Sequence, residues 1–246
     1  MALKASPDDQ AHLLELQAID TRLRQLDHRA TSLPELAVLA GLASDAEALR
    51  IELAEATGGL EDARLELGRV EADVAVVDAR IARDSQRLQS STSVKDVAGL
   101  ESELSGLAKR KDDLEEIELG VMDKVEALEG AVAGLQARRA ELEVKTAEVA
   151  AERDSVLESI TSERTHAAAN RSTIASKLPA DLLALYERQR ERYGFGASLL
   201  QGGVSTASGV KLNESDMAAV RAAAPDDVIL CPDSNAILVR TAESGL

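Results

Sequence analysis

The stretch Val97–Ile160, VAGLESELSGLAKRKDDLEEIELGVMDKVEALEGAVAGLQARRAELEVKTAEVAAERDSVLESI, decides the fold. Within it an aliphatic residue returns at every seventh position: Leu100, Leu107, Leu114, Val121, Leu128, Leu135, Leu142, Val149 and Val156. The companion set, Val97, Leu104, Lys111, Glu118, Val125, Val132, Arg139, Thr146, Arg153 and Ile160, is half polar. Such a repeat keeps one helix face on a partner helix and winds the pair into a left-handed coiled coil. Polar residues on the seam cost stability but fix register and direction.

Working outward, the same alternation of three and four runs upstream from Leu42 through Leu49, Leu60, Ala63, Val70 and Val77 to Leu88, with only Asp84 off pattern. Between the two runs lies Gln89-Ser-Ser-Thr-Ser-Val-Lys-Asp96, where hydroxyl residues interrupt the apolar period and Ser93 stands three residues before Asp96, in position to cap a new helix. Folding the chain back at a turn near 89–94 sets Leu88 beside Val97 and Leu60 beside Val125. The expectation is an antiparallel hairpin on the order of 120 Å long at the helical rise per residue. An intermolecular coiled coil would bury the same seam, so a monomeric hairpin and a dimer both stand.

A shorter helix precedes these. Ser6 can cap it, Pro7 suits its first position, and Asp8 and Asp9 face its positive end. It runs to about His28, carrying Leu16, Ile19, Leu23 and Leu26, and Thr31-Ser-Leu-Pro-Glu35 breaks it; Ser32 and Glu35 have capping-box spacing for the next helix. The glycines inside these helices read as tolerated flexibility, and the adjacent Gly58-Gly59 is the best candidate for a hinge.

Composition agrees with a rod. The aromatic residues are Tyr186, Tyr193 and Phe195, so nothing aromatic stands in the first 180 residues, which is unlike the core of a globular enzyme. A formal net charge of -16 repels phosphate backbones and disfavours nucleic acid as a partner. The lone Cys231 allows no internal disulfide and suits a reducing compartment. The opening residues from Met1 carry no apolar segment of signal-peptide length, and no apolar run is long enough to span a bilayer. A cytoplasmic protein without membrane contact is expected.

Lys177-Leu-Pro-Ala-Asp181 marks a boundary, giving a rod over 1–178 and a C-terminal region over 179–246. That region reads as a short helix from Asp181 to Arg192 stopped by Gly194 and Gly196, a turn-rich stretch to Lys211, a helix from Glu214 to Ala223, and a hairpin in Val228–Val239 about Pro-Asp-Ser-Asn. Its expected packing set is Leu212, Val220, Ile229, Leu230, Ile237 and Val239.

The turn exit Ser93-Val-Lys-Asp-Val-Ala-Gly-Leu-Glu101, the helix Leu-Pro-x-x-Leu-x-x-x-Tyr-Glu from Leu178, and Ile237-Leu-Val-Arg-Thr241 together resemble a bacterial family of coiled-coil proteins that end in a C4-type zinc ribbon. The resemblance covers nearly the whole chain. It implies two Cys-x-x-Cys knuckles, and it puts their four ligands at Ser205, Ser208, Cys231 and Ser234, where three of the four thiols are missing. A serine hydroxyl stays protonated near neutral pH and is a poor zinc ligand, so no metal or other cofactor is expected and these are vestigial positions. The resemblance also implies nucleic-acid binding, but residues 193–246 set Lys211, Arg221 and Arg240 against Glu214, Asp216, Asp226, Asp227, Asp233 and Glu243.

No catalytic constellation emerges. Cys231 has no histidine near it in sequence, and acidic pairs such as Asp112-Asp113 read as the solvated face of a rod. Arg188, Arg190 and Arg192, with Tyr193 and Phe195 beside them, are the best candidates for a partner contact. The expected function is a non-enzymatic adaptor that meets an unidentified protein partner through the rod or the ribbon-like knuckle, with a nucleic-acid-binding regulator as the alternative.

Overall fold

The computed structural model describes residues 3–246; Met1 and Ala2, where the reading of the opening segment began, lie outside them. The chain is mostly α-helical, a long helical hairpin with a small four-stranded sheet near its C-terminus. The described residues divide into two compact units, residues 35–151 on one hand and residues 3–34 with 152–246 on the other.

The 35–151 unit is built from α2 (Pro34–Ser90) and α3 (Val94–Ala175), which turn back on each other at residues 91–93. The turn exit is capped as its sequence suggests: the Asp96 amide donates to Ser93 Oγ at 3.4 Å. Leu42, Leu49, Leu60 and Ala63 of α2 and Leu100, Leu114 and Val121 of α3 are buried in the seam. A Cβ added at Gly59 would lie 3.9 Å from Leu128, close to the expected pairing of Leu60 with Val125. The flanks are laced by Arg64–Glu129 at 2.6 Å, Glu66–Lys124 at 3.0 Å and Arg80–Glu103. Seam residue Lys111 reaches out to Asp78 at 2.7 Å, so this polar position ties the two helices while keeping its charge at the surface. Asp84, the off-pattern residue, is buried and is met from its own helix by Arg87 at 3.2 Å and Arg80 at 3.9 Å. The helix α2 is continuous through Gly58-Gly59.

In the other unit, α1 (Pro7–Thr31) starts at Ser6, whose Oγ accepts from the Asp9 amide at 3.1 Å. The Ser32 hydroxyl departs from the expected capping box: it donates backward to the His28 carbonyl at 2.7 Å and closes the C-terminal end of α1. Leu26, Leu33 and Ile160 pack together, and Arg164–Asp27 at 2.9 Å and Arg22–Glu163 bridge α1 to α3. Beyond α4 (Ala180–Tyr193) come β1 (Ala197–Gln201), β2 (Val204–Ser205), α5 (Glu214–Ala222), β3 (Ile229–Leu230) and β4 (Ile237–Val239).

The sheet order β2-β1-β4-β3 joins two antiparallel hairpins through a parallel β1·β4 pair, where the sequence suggests one hairpin. The added strand β1 has no alternating pattern because β1 and β4, at the centre of the sheet, are covered on both faces. Ile237 and Val239 face Leu13, Leu16, Leu182 and Tyr186 of α1 and α4. Leu238 faces the other way, onto Leu200, Leu212, Met217, Val220 and Cys231. The expected single packing set is therefore two sets on opposite sides of β4, and Leu230 belongs to neither, being exposed. The N-terminal segment also joins this unit: the Val228 amide donates to the Leu3 carbonyl at 3.1 Å and the Ala5 amide to the Asp226 carbonyl at 2.9 Å. Among the described residues no helix is long and apolar enough to cross a membrane.

Candidate functional site

The two loops that hold Ser205, Ser208, Cys231 and Ser234 are built alike. In the first, the Ser205 amide donates to the Val210 carbonyl at 3.1 Å and the Gly209 amide to the Ser205 carbonyl at 2.8 Å. In the second, the Cys231 amide donates to the Ala236 carbonyl at 2.8 Å and the Asn235 amide to the Cys231 carbonyl at 2.9 Å. The residue after each second position takes a left-handed conformation, Gly209 at φ 67° and Asn235 at φ 58°. Such turns aim successive side chains and amides into one small volume.

What fills that volume is a chain of hydroxyls around one thiol. Ser205 Oγ lies 2.7 Å from Ser198 Oγ, and Ser205, Ser198 and Cys231 are all buried. Burial alone would push the Cys231 thiol up; hydrogen bonding from the Ser234 and Ser205 hydroxyls and from nearby amides outweighs it and holds the thiol below its usual range. Ser208 instead accepts from the Val210 amide at 3.3 Å. One thiol and three hydroxyls do not fit a structural zinc, which takes four thiolate or imidazole ligands. Among the described residues no group of three or more His, Cys, Asp or Glu side chains could hold a metal ion.

The arginine cluster is split by its helix. Arg190 turns inward, 2.8 Å from Glu187 and 3.6 Å from buried Asp20. Asp20 also takes Arg171 at 2.6 Å and the Tyr186 hydroxyl at 2.7 Å, while Gln17 Oε1 accepts from the Gly196 amide at 2.8 Å. Arg188 and Arg192 stay exposed, and Arg192 lies over Tyr193, 5.3 Å from its centroid. Phe195 is half-buried and is covered by Arg24 of α1 at 4.9 Å. So Arg188, Arg192 and Tyr193 are exposed, whereas Arg190 is half-buried and pairs with Glu187 and Asp20.

A surface feature passed over in the sequence lies in the 35–151 unit. Opposite its seam, α2 carries Ile51, Ala54, Gly58, Leu65, Gly68, Ala72, Ala75, Ala79 and Ala82 in steps of three and four, broken only by Glu61. Ile51 and Leu65 are 47% and 61% exposed. On α3 the back face repeats the device with Gly130, Ala133, Ala137, Ala140, Val144, Ala147 and Ala151, all exposed. The signal was legible, since the 3-4 period is as regular there as in the seam, but its small residues pass for filler beside leucines. Near Leu49 and Leu142 the seam itself opens into an apolar groove of about 580 Å³ lined by Ala46, Leu53, Ala147 and Ala150.

This geometry defines a class: coiled-coil hairpin proteins whose closing elements fold with their N-terminal helix. The chain belongs to the family described as the CT398-like coiled coil hairpin domain, which matches residues 16–194. Uncharacterized proteins from two strains of Mycobacterium tuberculosis, CDC 1551 / Oshkosh and ATCC 25618 / H37Rv, are each 33% identical over 243 residues, covering 97% of this chain and 98% of theirs. A solved structure from Mycobacterium smegmatis is similar at 32% identity and a TM-score of 0.88, covering 97% of this chain and all of that one. The CT398 structure from Chlamydia trachomatis shares the fold at 16% identity and a TM-score of 0.67, over 95% of this chain and 98% of its own.

Proposed function

We propose that this chain is a non-enzymatic adaptor whose hairpin takes a helix of a partner protein along its outer apolar stripe. The observation that carries the reading is the exposed heptad on α2 from Ile51 to Ala82. A stripe with the period of a coiled-coil seam, left uncovered, offers a second helix the packing that the seam already gives α3. Its alanines and glycines let backbones come close, and Ile51 and Leu65 supply the larger knobs. A second copy of the chain is the competing occupant, and the oligomeric state of the purified protein separates the two.

The test is affinity capture of the tagged chain from its own cytosol after nuclease treatment, in wild type and in Ile51→Glu/Leu65→Glu. Both positions are exposed, so the double variant keeps the fold. A protein held stoichiometrically by wild type and lost from the variant supports the adaptor; equal retention by both removes the stripe from the account.

Exposed Arg188 and Arg192, the latter over Tyr193, favour a second reading, nucleic-acid contact. Arg192→Glu is the discriminating change, because Arg190→Glu would also disturb buried Asp20. Salt-dependent RNA or DNA binding whose slope falls in that variant supports this reading. The paired loops at 205–210 and 231–236 we read as the knuckles of a zinc-ribbon-like unit that folds without metal, supported by their matching turns. The free thiol of Cys231 supports a cytoplasmic location.

A further inference from the structure

A groove of about 630 Å³ between α1, α3 and α4 carries a chemistry that the adaptor reading does not use. Four guanidiniums line it, Arg24 from α1, Arg164 and Arg171 from α3, and Arg190 from α4. In a chain of net charge -16, four cations around one groove call for an anion. The acids that meet them are three. Asp20 takes Arg171 at 2.6 Å, Asp27 takes Arg164 at 2.9 Å, and Glu187 takes Arg171 at 2.6 Å and Arg190 at 2.8 Å.

Four cations against three acids leave one positive charge, and it sits on Arg24. Among the described residues Arg24 has no acidic partner; it rests over Phe195 at 4.9 Å and reaches Thr21 at 3.4 Å. The ion pairs of Arg164, Arg171 and Arg190 leave donors over as well, for Nη1 of Arg171 and Arg190 and both Nη atoms of Arg164 make no hydrogen bond among the described residues. The Thr161 and Thr165 hydroxyls in the lining donate to backbone carbonyls at 2.7 and 2.8 Å, so the donors on offer are guanidinium N–H groups.

We propose that this groove binds a phosphate group, either free phosphate or the phosphate of a small monoester. Two forks saturate a planar carboxylate, whereas guanidiniums from three helices around one volume suit a tetrahedral anion with more acceptor oxygens. The volume falls within the roughly 300–1,000 Å³ of small-molecule sites. The assignment stands apart from the adaptor reading, and failure of partner capture leaves it untouched.

The experiment is calorimetric titration of the full chain with inorganic phosphate and, separately, with glycerol 3-phosphate, at an ionic strength held constant with chloride. One saturable site is expected. Arg24→Gln, which leaves no acid without its partner, should weaken it about tenfold, the scale of one charge-assisted hydrogen bond. Arg164→Gln should weaken it too, while Arg138→Gln in the 35–151 unit should not; circular dichroism confirms that each variant keeps its helices. Tighter binding of glycerol 3-phosphate assigns the site to a monoester, and tighter binding of inorganic phosphate to the free ion. No saturable heat with either probe, or binding that both Arg24→Gln and Arg164→Gln retain at full strength, overturns the proposal.

Discussion

At the scale of single residues, the buried polar network around Asp20 is the feature that composition hides. Gln17, Asp20 and Gln189 look like surface residues in the sequence, yet all are buried. Asp20 is tolerated there because Arg171 and the Tyr186 hydroxyl satisfy it. Gly196 is required by the same packing: a Cβ there would come 2.4 Å from the Tyr186 ring. Tyr186→Phe should cost about 1–3 kcal/mol in urea unfolding by leaving Asp20 short of a donor. Burial first, and then the bond to Asp20, push the Tyr186 phenol up. Above about pH 10 the unfolded chain therefore gives up a proton that the folded chain keeps. The stability contributed by Tyr186 is full below that pH and falls as pH rises, and the alkaline slope should shrink in Tyr186→Phe. At the loops, Ser205→Cys/Ser208→Cys/Ser234→Cys should bind one zinc per chain by elemental analysis, and the parent chain none.

At the scale of elements, the seam and the stripe make opposite predictions. Leu114 is 3% exposed and Leu119, on the same helix, is 63% exposed. Leu114→Asp buries an unpaired carboxylate and should cost about 3–5 kcal/mol, read as a lowered midpoint in denaturant; Leu119→Asp should stay within about 0.5 kcal/mol. Arg240 closes the end of α5, donating to the carbonyls of Ala223 at 3.0 Å, Ala224 at 2.7 Å and Asp227 at 2.8 Å. Arg240→Ala should cost about 2 kcal/mol, because those carbonyls lose a charged donor. The helices, the turn after Ser90 and the last hairpin were legible because each is set by local signals: heptads, hydroxyl caps and a Pro-Asp-Ser-Asn turn. Strand β1 was not, since its longer pairing is with β4, some forty residues later in the chain, its local partner β2 is two residues long, and nothing within Ala-Ser-Leu-Leu-Gln alternates. For the candidate site, the resemblance singled out Ser205, Ser208, Cys231 and Ser234, which lie in two loops of like build, while the hydroxyl chain through Ser198 depends on that unforeseen strand.

At the scale of the whole molecule, a single hydrophobic period serves two purposes. One face of α2 and α3 holds the hairpin closed, and over Ile51–Ala82 of α2 and Gly130–Ala151 of α3 the opposite face is largely apolar in a chain otherwise rich in acids. Natural surfaces seldom keep such a face bare without a use for it. The most direct measurement of the central claim is photocrosslinking in cells from a benzophenone amino acid placed at position 65, compared with position 210, where Val210 is 49% exposed in the other unit. A discrete protein adduct is expected from position 65 and none of the same mass from position 210. Adducts confined to position 210, or nucleic acid in place of protein at both, would contradict it.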